Sequence, residues 1–314
     1  MEMSITKRNN NQIKIIYHYS PPEALESILS HSTIRFTDCQ FLDDKAEFLP
    51  YMSDILDEVV NLNKNAISHS LKNILTECQR YQIYSAILPT ITKPSINVTK
   101  SHISLKNSYR YYVFCASKDR DSISMWNYYI KNDKYQGYNI GFSVNEILTS
   151  LKSLEDKGIN IFHGSIIYDR KKQKQTLNNL IKELNSNKSY DFLNFRNYIK
   201  GEIDKLRLFF KQEAFSNEKE YRFILRIPNS ENNIKNRIKN GVFVPYYEAT
   251  FDKKKDIKSI CCSPRVESEL AKQGLHTFLY RNGYTVYQKA FNLFGAKFKD
   301  RDGVKLDKSS ISMR

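Results

Sequence analysis

The heptapeptide NEKEYRF at residues 217–223 combines side chains that are suited to chemistry with a spacing that would align them. Glu218, Glu220 and Arg222 follow one another two residues apart. On a β-strand, alternate residues share a face, so these three side chains would form one polar row. The row could line a cleft in which carboxylates take part in a reaction. It is also typical of a solvent-facing strand with cross-strand ion pairs, and the strand by itself favours that second interpretation.

A histidine near the start of the chain is a second candidate for a site. His18 lies near the end of a predicted strand at 12–20, which directly precedes a predicted helix. Ser20 is expected to cap that helix, with Pro21 in its first position and Glu23 completing the capping box. Free N–H groups and the helix dipole favour an anion site at such a junction. A hydrogen-bonded histidine at a sheet edge explains the pattern equally well.

Ser117 ends a third segment of interest, a predicted strand at 109–117 that is rich in aromatic residues. A short helix is predicted over 122–131 and contains Trp126, the single tryptophan, and Tyr129. Core packing is the default interpretation of these aromatic residues. The functional alternative is an aromatic wall for a planar ring.

The acidic cluster Asp43, Asp44 and Glu47 has two interpretations. We prefer a helix N-terminus with favourable acidic residues. The alternative is a magnesium site for phosphodiester cleavage, which would make the protein a metal-dependent nuclease.

The elements that must position these residues form an interspersed pattern of strands and helices. No glycine-rich phosphate loop is present. The sequence predicts an α+β fold with a mixed or antiparallel sheet, in one enlarged domain over 1–314 with helical insertions near 44–88 and 170–214. Loops are predicted at 89–108 and 229–241. Further strands are predicted at 33–38, 137–143, 159–168, 220–227, 242–251, 256–263 and 284–289.

Composition and charge limit the possible functions. The net charge of +15 indicates a polyanionic partner such as nucleic acid, although free use of lysine codons in an AT-rich genome explains it equally well. The five cysteines include no C-x-x-C pair, and no apolar run is long enough for a bilayer, so a cytoplasmic protein without a membrane partner is expected. Basic segments at 170–174, 235–239 and 253–258 keep a non-catalytic nucleic-acid-binding or adaptor protein open as an alternative.

The order of several motifs resembles a bacterial family of uncharacterised domains, and the Met-Trp segment is the most specific of them. The resemblance implies no activity by itself. The motif segments are Tyr17–Ser20, Phe36–Glu47, Phe114–Ser117, Ser122–Tyr129, Gly137–Phe142, Glu218–Arg222 and Ser310–Arg314.

A more distant resemblance is to ADP-ribosyltransferases, which place His or Arg, then Ser or Tyr, then Glu on three successive strands. His18, Ser117 and Glu218-x-Glu220 follow that order, although Cys115-Ala116-Ser117 stands in place of the usual Ser-Thr-Ser. The resemblance implies NAD as substrate and an ADP-ribosyltransferase-like core, with no metal. A carboxylate that faces the ribose would stabilise its developing positive charge.

The resemblance also implies roles for individual residues. Glu220 would be the catalytic carboxylate, Glu218 would orient the acceptor, and His18 would hydrogen-bond to NAD. The implied NAD-binding residues are His18, Tyr19, Ser117, Trp126, Tyr129 and Arg222. The protein would act as a toxin or phage-defence effector on RNA, DNA or protein, with a neutralising antitoxin as partner.

Overall fold

The computed structural model describes residues 14–42, 45–80, 109–130, 136–186, 192–266, 268–287, 292–293, 296–297 and 302–312. Three predictions lie outside these residues: the loop at 89–108, the carboxylate pair Asp43 and Asp44, and the side chain of Glu47.

Ten strands form one sheet, in which every pair is antiparallel except β12 with β9. The strands are β1 (Ile15–Ser20), β2 (Thr33–Asp38), β3 (Tyr109–Ser117), β4 (Tyr138–Ser143), β5 (Asn160–Ser165), β6 (Glu220–Pro228), β7 (Ile234–Lys239), β8 (Val242–Thr250), β9 (Ile257–Cys262) and β12 (Lys305–Lys308). Their order is β12-β9-β4-β1-β3-β2-β8-β7, and β6 lies between β3 and β5. β10 (Asn292–Leu293) and β11 (Ala296–Lys297) form a separate short pair.

Helices accompany this sheet, and the α+β prediction is confirmed. The helices are α1 (Pro22–His31), α2 (Lys45–Leu62), α3 (His69–Arg80), α4 (Ile123–Tyr129), α5 (Val144–Leu151), α6 (Arg170–Ser186), α7 (Phe192–Phe209) and α8 (Ser268–Arg281). Buried apolar side chains of α2, α3, α6 and α7 pack into one cluster of their own, so the two predicted helical segments meet in space.

The pairing of β3 opens a gap in the sheet. One edge of β3 pairs with β6 along its whole length, from Tyr109 to Ser117. The other edge pairs with β1 only at Ser117 and with β2 only at Tyr112 and Val113. β1 and β2 therefore diverge along the same edge of β3, and we call the gap between them the wedge. Backbone groups of β3 inside the wedge are available to side chains and ligands.

Two predictions about local structure are wrong. Ser20 does not cap α1, because it remains paired with Tyr138 in the sheet; Pro21 is the N-cap residue and no side chain caps the helix. The predicted loop at 229–241 contains β7, which forms a hairpin with β8. The turn residues Asn240 and Gly241 both have positive φ, of 51° and 74°, as the Asn-Gly hairpin turn requires.

The polar row of NEKEYRF also differs from the prediction. Lys219 has a φ of 46°, so Glu218 ends a preceding 3-10 turn and does not continue the strand. Both faces of β6 are buried: Leu208 and Phe209 of α7 pack with Ile224 on the face that was expected to contact solvent. Over its described residues, 284–287, the last predicted strand is an isolated bridge from Val286 to Val304, and β12 follows it.

Candidate active site

His18 projects from β1 into the wedge and contacts the unpaired edge of β3. Its Nδ1 lies 3.0 Å from the carbonyl oxygen of Cys115. Since a carbonyl can only accept, Nδ1 carries the proton. Burial lowers the pKa of His18, and the charge of Arg237 lowers it further, against the opposing effect of the Cys115 carbonyl. The ring is therefore neutral at pH 7, and its Nε2 is a hydrogen-bond acceptor.

Glu220 lies at the centre of a buried cluster of four charged side chains. Its Oε1 and Oε2 accept hydrogen bonds from Nε and Nη2 of Arg222 at 2.7 and 2.9 Å. The Nζ of Lys211 donates to Oε2 of Glu218 at 2.8 Å and lies 3.7 Å from Oε2 of Glu220. Nη1 of Arg222 donates to the Leu208 carbonyl at 2.7 Å. All four side chains are more than nine-tenths buried.

This environment keeps Glu220 ionised. Burial by itself would raise the pKa of Glu220, but the ion pair with Arg222 and the charge of Lys211 outweigh it, and the pKa lies below its ordinary value. Desolvating several charges costs free energy that ion pairing often fails to recover. The cluster is therefore poorly explained as a device for stability, and such perturbed groups concentrate at functional sites.

His18 and Glu220 line one small cavity, although they come from β1 and β6. Its volume of about 10 Å³ accommodates at most one water molecule. A second cavity of about 200 Å³ lies in the wedge and shares His18, Cys115 and Tyr129 with the first. Tyr129 is 41% exposed and lines both cavities. The larger cavity is also lined by Arg35 and Arg237.

Cys115 brings a thiol to the wedge, and its environment disfavours nucleophilic attack. Burial raises the pKa of Cys115 well above its ordinary value, and the negative charge of Glu220 adds to this effect. Because the thiolate is the reactive form, Cys115 is a poor nucleophile here.

Three other residues for which the resemblance implies NAD binding, Ser117, Tyr19 and Trp126, make hydrogen bonds or packing contacts within the protein. Ser117 is fully buried, donates from Oγ to the Glu218 carbonyl at 2.7 Å and accepts from the Asp119 N–H. The Tyr19 hydroxyl joins the Asp119 carbonyl to the Ser122 N–H, while the Tyr19 ring lines the small cavity. Trp126 is 1% exposed and packs edge-on against that ring.

Three contributors to the site were missed from the sequence: Lys211, Arg237 and the thiol of Cys115. Lys211 follows α7 with no motif to mark it, so only its contacts show its role. Arg237 lay in the segment predicted as a loop. The Asn-Gly dipeptide at 240–241 is a hairpin signal and could have placed Arg237 on a strand.

Within the described residues, no group of three His, Cys, Asp or Glu side chains is arranged to hold a metal ion. In the same part of the chain, no helix has the length and apolar character needed to span a membrane.

Comparison with known proteins adds one match. A family model described as a protein of unknown function (DUF2971) matches residues 125–223, which run from α4 into β6. That span includes Tyr129, Lys211 and Glu220 and excludes His18. No curated protein and no solved structure matches the chain.

Proposed function

We propose that the protein is an ADP-ribosyltransferase that cleaves the nicotinamide–ribose bond of NAD in the wedge. One observation carries the proposal: His18, Tyr129 and Glu220, from three separate elements, line the same cavity. The separate resemblance in residue order to ADP-ribosyltransferases supports it.

The charge state of the site suits this reaction. When the bond between ribose C1′ and the nicotinamide nitrogen breaks, the electron pair neutralises the pyridinium ring and positive charge develops on the ribose. The leaving group is neutral and needs no acid. Glu220, held ionised by Arg222, supplies a fixed negative charge to stabilise the ribose. An acceptor oxygen or nitrogen then bonds to C1′ and loses its proton to water.

The remaining side chains fit the rest of NAD. The neutral His18 can accept a hydrogen bond at Nε2 from a ribose hydroxyl or the nicotinamide amide. Arg35 and Arg237 give the larger cavity positive charge that complements a pyrophosphate. Tyr129 must turn outward to admit the ribose, and its ring can then stack on nicotinamide.

The direct test incubates the purified protein with adenylate-labelled NAD together with RNA, DNA or cell lysate. We expect nicotinamide release and transfer of label to a macromolecule. A folded protein that releases no nicotinamide with any of these acceptors would overturn the proposal.

A non-catalytic nucleic-acid-binding protein is the second candidate, favoured by the net charge of +15. Its signature would be salt-sensitive RNA or DNA binding in a protein that leaves NAD intact. Detection of nicotinamide release would refute it.

A further inference from the structure

The sheet face that leads away from the wedge is strongly basic. Lys235, Arg237 and Lys239 alternate along β7 and therefore share one face. Their neighbour Ile234 packs against the main core on the opposite face. Arg35 of β2 lies on the same side as these cations, since Arg35 and Arg237 line the larger cavity together. We call Arg35, Lys235, Arg237 and Lys239 the basic face.

Two of these cations share one carboxylate. Glu248 of β8 accepts a hydrogen bond from Nε of Arg35 at 3.1 Å and forms an ion pair with Lys235. The side chains of Lys235 and Arg35 nevertheless remain 57% and 40% exposed. The positive field of the basic face extends from the cavity to β7, the last strand in the sheet order.

We propose that the basic face binds the acceptor of the reaction, and that this acceptor is a single-stranded nucleic acid. The identification of an acceptor rests on the proposed function. Arg35 and Arg237 lie at the cavity and face the pyrophosphate of NAD. Lys235 and Lys239 flank Arg237 on the same face of β7 and provide sequence-independent contacts to the phosphates of the acceptor. After nicotinamide has left, the exposed ring of Tyr129 at the cavity mouth can stack on a base of the acceptor. A single strand fits better than a duplex, because its nucleotides can be splayed into a narrow cavity.

Other basic segments do not extend this surface. β7 and β9, which includes Lys258 of the segment 253–258, are separated in the sheet order by five strands. In the segment 170–174, Arg170 and Lys174 both pair with Glu58 of α2. Of these three basic regions, the basic face is therefore the one that adjoins the candidate active site.

The first measurement is binding without NAD. Fluorescence anisotropy would follow a 20-nucleotide fluorescein-labelled RNA, and the corresponding DNA, between 50 and 200 mM salt. The test variant is Lys235→Ala with Lys239→Ala. The matched control is Lys152→Ala with Lys157→Ala: both lysines are exposed, and their segment packs through Leu154 on the opposite side of the sheet.

We expect the test variant to bind at least about fivefold more weakly, with the salt slope reduced by about 1.4 for two lost phosphate contacts. The control should bind like the wild type. Equal weakening in both variants would overturn the assignment of this face. Absence of salt-sensitive binding to either oligonucleotide would do the same.

The second measurement separates this inference from the proposed function. With labelled NAD, the test variant should still release nicotinamide but transfer less label to the oligonucleotide. Label found only on protein, and unchanged in the test variant, would overturn the nucleic-acid acceptor while leaving NAD cleavage intact. If the basic face binds the oligonucleotide selectively but no nicotinamide is released, the transferase function is refuted, and so is the role of the oligonucleotide as acceptor. The basic face would then be a nucleic-acid-binding surface without an associated reaction.

Discussion

Replacing Glu220 by glutamine tests the candidate site most directly, because it removes one charge and keeps the shape of the side chain. The two Glu220 oxygens accept from Arg222 at 2.7 and 2.9 Å, and Lys211 lies 3.7 Å away. Loss of the fixed charge that faces the ribose should slow nicotinamide release by about 100- to 1,000-fold, the usual cost of one transition-state electrostatic contact.

The same substitution should also destabilise the fold, and the two effects must be separated. It leaves the buried Arg222 without its carboxylate, which typically costs about 3–5 kcal/mol. Glu218→Gln is the matched control: that carboxylate is 7% exposed, against 4% for Glu220, and its Oε2 lies 2.8 Å from Lys211. We expect a comparable loss of unfolding free energy in urea, but less than a tenfold loss of nicotinamide release, because Glu218 does not line the small cavity.

The assay is chromatographic measurement of nicotinamide released from NAD at 25 °C, with far-UV circular dichroism to verify folding. If Glu220→Gln does not fold, the double variant Glu220→Gln with Arg222→Gln removes the charge imbalance and should fold without activity. The reasoning is refuted if Glu220→Gln retains more than a tenth of the wild-type rate, or if Glu218→Gln loses as much activity.

Three further predictions concern stability. Burial lowers the pKa of His18 in the folded state, so the contribution of the neutral ring to the free energy of unfolding is complete above about pH 6.5 and is lost as the pH falls. In urea titrations, His18→Gln should therefore lose less stability than the wild type between pH 6.5 and 5. An unchanged dependence of stability on pH would contradict this. Burial raises the pKa of Asp256 to about 6, so stability is lost as the pH rises through 6 and the buried carboxyl ionises. Asp256→Asn should therefore be more stable than the wild type by about 2 kcal/mol at pH 8 and nearly equal to it at pH 4. Equal stability of the two proteins at pH 8 would show that ionisation of Asp256 does not destabilise the fold. Asp121 accepts hydrogen bonds from Trp126 Nε1 at 2.8 Å and from Ser309 and Ser310. Asp121→Ala should lower the free energy of unfolding by about 2–4 kcal/mol and change the fluorescence of the single tryptophan. An unaltered unfolding curve would show that these hydrogen bonds contribute little to stability.

Much of the fold could be predicted from the sequence, because the signals for its elements are local. The predicted strand at 109–117 coincides with β3, and the helical pattern at 170–214 contains α6 and α7 with a break between them. Aromatic and β-branched residues between breaker residues mark strands, and apolar residues at three- and four-residue spacing mark helices. His18, Ser117 and Glu220 lie on strands as predicted, on β1, β3 and β6, whereas Glu218 lies in a 3-10 turn.

The candidate site depended on contacts that the sequence does not contain. An alternating pattern shows which face of β6 is apolar, but Glu220 and Arg222 are buried because Leu208 and Phe209 of α7 cover their face. Lys211 reaches Glu218 and Glu220 for the same reason, since the end of α7 lies over the strand. The wedge arises because β1 and β2 share one edge of β3. By itself the sequence determined most of the elements and their polar residues. Only the tertiary structure decided which polar face is desolvated, because desolvation depends on what packs against a strand from elsewhere in the chain.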